Sequence, residues 1–209
     1  MLPAVLLAVA ARAQEPNGAA PAPGTNPPHG EPWNFSALTY WNMPREADNY
    51  VTGIVIAEHG NLHLEARANY EAMHAQSAFI GWTFAGGDTV QVKATPLIGF
   101  VAGSIHGPIA GLEAGVTVHR FDYYLEAEYL NEQGGRPGYL YAWSELGFRP
   151  REWLRLGVAL QRTRIYGGER DLQRGGFVQL IVRKYTASFY WFNPGSPERI
   201  LMLSLGVNF

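Results

Sequence analysis

From Trp33 onward, apolar and polar residues alternate with a period of two, and no window sustains a helical period. Leu62, Leu64, Ala66, Ala68 and Tyr70 are set against His63, Glu65, Arg67 and Asn69. The pattern returns in Val90, Val92 and Ala94 against Gln91, Lys93 and Thr95, and in Leu125, Ala127 and Tyr129 against Glu126 and Glu128. It returns again in Leu201, Leu203, Leu205 and Val207 against Ser204 and Asn208. Successive side chains of a strand point to opposite faces, so each segment predicts a strand with one apolar and one polar face.

The breakers between these runs are of two kinds. Tight turns are expected at 58–61, 85–88, 119–122, 149–152 and 183–185, and longer polar connections at 43–49, 71–76, 103–108, 131–138, 167–171 and 193–198. Five turns alternating with six longer loops make about twelve strands. An outer-membrane barrel has an even strand number, short turns at the end that carries both termini and longer loops at the other. The fold class expected over 33–209 is therefore all-β, a transmembrane antiparallel up-and-down β-barrel of about 12 strands. The alternative, a soluble sandwich or lipocalin-like barrel, would turn the apolar face inward onto a core of mostly small residues.

Composition agrees with export. Charged residues make up 16% of the 209 residues, against roughly 25% in ordinary soluble domains. A net charge of -2 gives no footprint for nucleic acid. The absence of Cys removes thiolate chemistry and Cys-based zinc sites. Residues 2–11 are apolar but too short to span a bilayer, and Ala11-Arg12-Ala13 supplies a small-x-small cleavage site before Gln14. Residues 1–13 are read as a signal peptide that lacks the usual basic start, and 14–32 as a flexible lead-in holding six of the 14 prolines. N-terminal sequencing of envelope-extracted protein should begin near Gln14.

The final segment Ile200-Leu201-Met202-Leu203-Ser204-Leu205-Gly206-Val207-Asn208-Phe209 is similar to the closing strand of bacterial, Gram-negative outer-membrane β-barrel proteins. The resemblance is to a class and implies fold and location, the bacterial outer membrane, without an activity. It further implies that Phe209 and the alternation before it are the signal read by the barrel assembly machinery. Rings expected near strand ends, at the two membrane interfaces, are Trp33, Phe35, Tyr40, Trp41, Tyr123, Tyr129, Tyr139, Tyr141, Trp153, Tyr166, Tyr185, Phe189 and Trp191.

By parity the lumen-lining set is His63, Glu65, Arg67, Lys93, Glu113, Glu126, Glu128, Glu145 and Arg155, with acids ahead of bases. Gly111 and Gly115 share that inner face, where missing side chains leave space or permit curvature. A barrel of twelve strands is intermediate between filled and open ones. The set could therefore line a narrow pore or cross-link the wall as a paired network.

The functional expectation is a passive or weakly selective channel for small polar solutes. The alternatives are a non-conducting structural or lipopolysaccharide-interacting barrel, and an outer-membrane lipid hydrolase using Ser104 and His106. Gly-x-Ser-x-Gly is absent, and no catalytic residue is assigned. His59 and His63 flank a turn, so their spacing does not suit a metal, and neither metal nor cofactor is expected. Expected partners are outer-membrane lipid and lipopolysaccharide. Arg162, Arg164, Arg170 and Arg174 should form that contact, provided no β-bulge turns Arg162 and Arg164 into the pore mouth.

Overall fold

The computed structural model describes residues 32–135, 137–165 and 170–209. The segments read from sequence as a signal peptide and, nearly all of it, as a lead-in lie outside them, as do Tyr166 and the start of the connection at 167–171. Among the described residues every regular element is a strand, and no helix is long and apolar enough to cross a membrane.

The strands are β1 (Asn34–Pro44), β2 (Tyr50–His59), β3 (Leu62–Ala68), β4 (Ala75–Trp82), β5 (Phe84–Gly86), β6 (Val90–Gly103) and β7 (Gly107–Val118). They continue with β8 (Phe121–Leu130), β9 (Tyr139–Arg151), β10 (Leu154–Ile165), β11 (Arg170–Val182), β12 (Tyr185–Phe192) and β13 (Ile200–Asn208). Consecutive strands pair antiparallel except β4 and β5, which both pair with β6, and β1 pairs β13 from Ser36↔Asn208 to Pro44↔Ile200, which closes the wall. Closure leaves no sheet edge, as a hydrocarbon environment demands.

The wall has twelve strand positions and one extra strand, because one position is broken. Gly81↔Leu97 and Phe84↔Ala94 belong to one register, so Trp82 and Thr83 stand opposite Pro96 and Thr95. Proline has no N–H to give the ladder, and the pairing lapses there and resumes as β5. Neighbouring groups fill the gap. Thr83 donates its N–H to Asn61 (2.8 Å), accepts from the Asn61 side-chain amide (2.6 Å), and its hydroxyl meets that of Thr95 at 3.0 Å.

Tight turns join β2–β3, β5–β6, β7–β8, β9–β10 and β11–β12, and the longer connections lie at the opposite end. The first residue of two of these turns is a non-glycine in the left-handed region, His119 (φ 55°) and Arg183 (φ 54°). That conformation suits the twist of a two-residue hairpin.

The two faces differ as the alternation requires. Val51, Val55, Ile80, Ile98, Leu112, Leu146, Val158, Leu180 and Leu205 are exposed on the outside. Trp33, Phe35, Trp82, Phe121, Trp153 and Tyr185 lie toward the turn end, and Trp41, Tyr129 and Trp191 toward the loop end. A closed wall that is apolar outside and polar inside is built for lipid, since a soluble barrel reverses this order.

Three rings expected at the interfaces are inside instead. Tyr40, Tyr139 and Tyr141 are buried, and each has the parity of an inward neighbour, Asn42 for the first and Trp143 and Glu145 for the others. Tyr70 is likewise not on the outer face of β3. That strand ends at Ala68, and Asn69 adopts a left-handed conformation (φ 55°), which reverses the parity and turns Tyr70 into the lumen.

Candidate functional site

The inner wall carries two arginine-centred clusters. The first lies near the turn end, on β8, β9 and β10. Arg155 donates from Nε and Nη2 to Asp122 (2.9 and 2.6 Å) and from Nη1 to Glu145 (2.6 Å). Its guanidinium covers the Phe177 ring at 4.6 Å. Glu145 accepts two more bonds, from the Trp143 indole at 3.1 Å and the Tyr190 hydroxyl at 3.0 Å, while Arg149 reaches Asp122 at 3.1 Å. Two carboxylates thus face two guanidinium groups. Gly147 makes this possible, because a Cβ there would meet Arg155 Nε and Asp122 at 2.6 Å.

The second cluster spans the lumen. Arg67 on β3 donates from Nε to Glu65 at 2.7 Å and from Nη1 to Glu128 (2.5 Å) and Glu126 (3.3 Å) on β8. Between β3 and β8 along the wall stand β4 with β5, β6 and β7, so these bonds cross the interior rather than follow the sheet. Glu71 and Glu113 stand 3.6 and 3.9 Å from the same guanidinium. Tyr70 and Phe79 cover it on their ring faces at 4.2 and 4.4 Å.

Glu113 and Glu126 are direct cross-strand partners, a like-charge pairing that costs energy unless a cation lies between or beside them. Arg67 is that cation. Tyr70 and Tyr124 also donate to Glu126, the second at 3.2 Å. Gly111 opposite Glu128 gives the carboxylate its room.

Tyr70 and Glu71 are loop residues, and sequence parity offered no reason to place them here. Together with Ala72 they are buried, so the β3–β4 connection folds into the barrel mouth. Glu71 is held by Ser77, which donates at 2.6 Å. The one available sign was Asn69, a residue that tolerates the left-handed conformation.

The structure places the sequence-derived lumen set as follows. His63, Glu65, Arg67, Glu113, Glu126, Glu128, Glu145 and Arg155 are all on the inner face and buried, in the two clusters above or beside them. Lys93 lies at the rim, half exposed, 3.3 Å from Glu58. His63 sits between Glu58 (Nδ1, 3.1 Å) and Glu65 (Nε2, 3.0 Å). His63, Glu65 and Glu113 bring possible metal-donor atoms within 4.8 Å of one another, a grouping not anticipated from spacing because Glu113 comes from another strand. Arg67, already bonded to Glu65, serves that same space.

In the outer loops, the Ser104 hydroxyl donates to the Met73 carbonyl at 2.5 Å and the His106 ring faces Glu132 at 3.9 Å. These two contacts go to different partners. Arg162, Arg164 and Arg174 are exposed on the outer wall, and the side chain of Arg170 lies outside the described residues. The β10–β11 register runs unbroken from Leu154↔Leu180 to Arg164↔Arg170, so no bulge turns Arg162 or Arg164 inward. Phe209 is exposed at the turn end, donating its N–H to Phe35 at 2.8 Å, with Lys184 5.2 Å from its ring.

No family model and no curated protein sequence matches the chain. Solved structures do. A KdgM porin in complex with disordered oligogalacturonate superposes with a TM-score of 0.63 at 9% identity, covering 83% of this chain and 98% of that one. A second KdgM porin structure gives 0.60 at 10% identity with the same coverage. The fold is that of a bacterial outer-membrane barrel. Together with the apolar outer wall, it places the chain in that membrane.

Proposed function

We propose that the barrel is a passive, weakly cation-preferring channel for small polar solutes that are neutral or positively charged. The observation that carries this reading is the imbalance around Arg67, where five carboxylates, Glu65, Glu71, Glu113, Glu126 and Glu128, stand within 3.9 Å of one guanidinium. Clustered acidic side chains lining a pore favour cations. One of the similar structures holds oligogalacturonate, a chain of carboxylate-bearing sugars. An acid surplus inside this lumen opposes such a polyanion, so that ligand is not proposed for this chain. Purified protein in planar bilayers under a salt gradient should give small steps with a reversal potential on the cation-selective side. An anion-selective potential would overturn the reading.

A second reading, a non-conducting structural barrel, is favoured by the burial of the same groups. Arg155 is 0% exposed, Glu126 1% and Glu128 2%, as in a filled interior. Absence of current from correctly folded protein would establish it over the first.

Assembly is a separate matter. We read Phe209 and the outward side of β13 as the element taken up by the assembly machinery, with Leu205 62% exposed toward lipid and Ser204 buried in the lumen. Leu205→Asp or Phe209→Asp should reduce the heat-modifiable folded form far more than Ser204→Asp.

A further inference from the structure

The outer wall is apolar almost everywhere, and the hairpin of β10 and β11 is where that changes. On β10 the outward positions Leu156, Val158 and Leu160 are exposed to lipid, and the same parity continues without a break to Arg162 and Arg164. On β11 the outward run Val182, Leu180 and Val178 continues through Gly176 to Arg174 and Leu172. Leu160 pairs with Arg174 and Arg162 with Leu172. Two guanidinium groups therefore stand on one diagonal of a four-residue patch and two exposed leucines on the other. Arg164 lies one outward position beyond Arg162.

Height along the wall follows from the ladder. Arg164 pairs with Leu140, and Leu140 pairs with Tyr129, one of the rings at the loop end. At about 3.4 Å per residue and a tilt near 45°, Arg162 and Arg164 stand roughly 19 to 24 Å above Leu154, at the upper margin of an apolar band about 25 Å tall. Among the described residues, no Asp or Glu occupies an outward position of β9, β10, β11 or β12. Asp171, exposed near the start of β11, has the inward parity and pairs with Thr163, so the arginines gather on the outward side of the wall where lipid headgroups begin.

We propose that this patch is a contact for a phosphorylated lipid of the outer leaflet, lipopolysaccharide in a Gram-negative envelope. Guanidinium groups present paired N–H donors that match phosphate oxygens bidentately. Leu160 and Leu172 between them offer the apolar surface that acyl chains require and that a free phosphate would not use. The contact is on the outside of the barrel and does not depend on whether the lumen conducts.

The test uses the full-length protein with Arg162→Gln, Arg164→Gln and Arg174→Gln combined, extracted from envelopes, with a triple Arg→Lys variant beside it. Lipopolysaccharide retained per folded barrel should fall by at least half in the Gln variant. The rise in thermal midpoint on adding purified lipopolysaccharide should be largely lost. The Lys variant, which keeps the charge without the fork, should fall between the two. Inorganic phosphate alone should give no comparable rise with the parent protein, and an equal rise would overturn the lipid assignment. If the triple variant does not fold, Arg162→Gln alone replaces it and is read by the same two measurements. Equal retention and equal stabilisation in parent and Gln variant would overturn the proposal.

Discussion

Arg155 and Arg67 are both enclosed by the lumen, but Arg155 meets carboxylates from β9, next to its own strand, and from β8, one strand further along, whereas Arg67 reaches from β3 across the interior to β8. Near Arg155 two acids face two guanidinium groups with short, directed bonds. Near Arg67 five acids share one guanidinium. Buried ion pairs contribute little net stability, but removing one partner leaves an uncompensated charge. The balanced cluster is thus a wall fastening. On the proposed reading the unbalanced one sets acidic groups in the path a solute would take, and its geometry depends on a single long side chain.

Four variants break or sharpen that contrast. Arg155→Met should have the largest effect, a loss of about 3 to 5 kcal/mol from stranding Asp122 and Glu145, seen as a lower urea midpoint of the folded barrel with channel steps unchanged in those that fold. Arg67→Met should raise the current several-fold and increase cation preference, because the tie across the lumen is cut while its carboxylates stay. Were Arg155→Met to change conductance as strongly as Arg67→Met, the division into fastening and filter would fail. Glu126→Gln with Glu128→Gln should move the reversal potential toward zero, and an unchanged potential would separate these carboxylates from the filter. Tyr70→Phe should cost least, about 1.5 kcal/mol for one hydrogen bond to a charged acceptor, since Tyr124 and Arg67 still bond Glu126.

Much of this architecture was legible because a barrel strand repeats every two residues and its turn residues have strong local preferences. Glu65, Arg67, Glu113, Glu126, Glu128, Glu145 and Arg155 could be assigned inward from parity alone. Tyr40, Tyr139 and Tyr141 had the same information available, since Tyr141 is two residues from Trp143 and four from Glu145. They were misplaced because an aromatic ring is equally at home at an interface and in a packed interior. Tyr70 and Glu71 were not legible, because one left-handed residue, Asn69, resets the alternation and parity carries no information past it. The gathering of five acids on Arg67 was also hidden. Strand count and parity tell which way a side chain points, not how far across a closed wall it reaches. The break at Thr83 had a visible cause in Pro96, but reading it needs the β4–β6 register.

The pairing of β1 with β13 has a kinetic consequence. Most other neighbours are joined by a hairpin or a short connection and can zip locally, whereas Ser36 and Asn208 must find each other across almost the entire described chain. Contacts so distant in sequence form slowly, because the ordering entropy is spent before the contact compensates for it. Until they form, β1 and β13 each present a row of unsatisfied N–H and C=O groups, the kind of edge onto which another strand adds most readily. The nascent protein is therefore most exposed to strand addition by other molecules, whether helper or aggregate, in the interval between the appearance of β1 and the docking of β13.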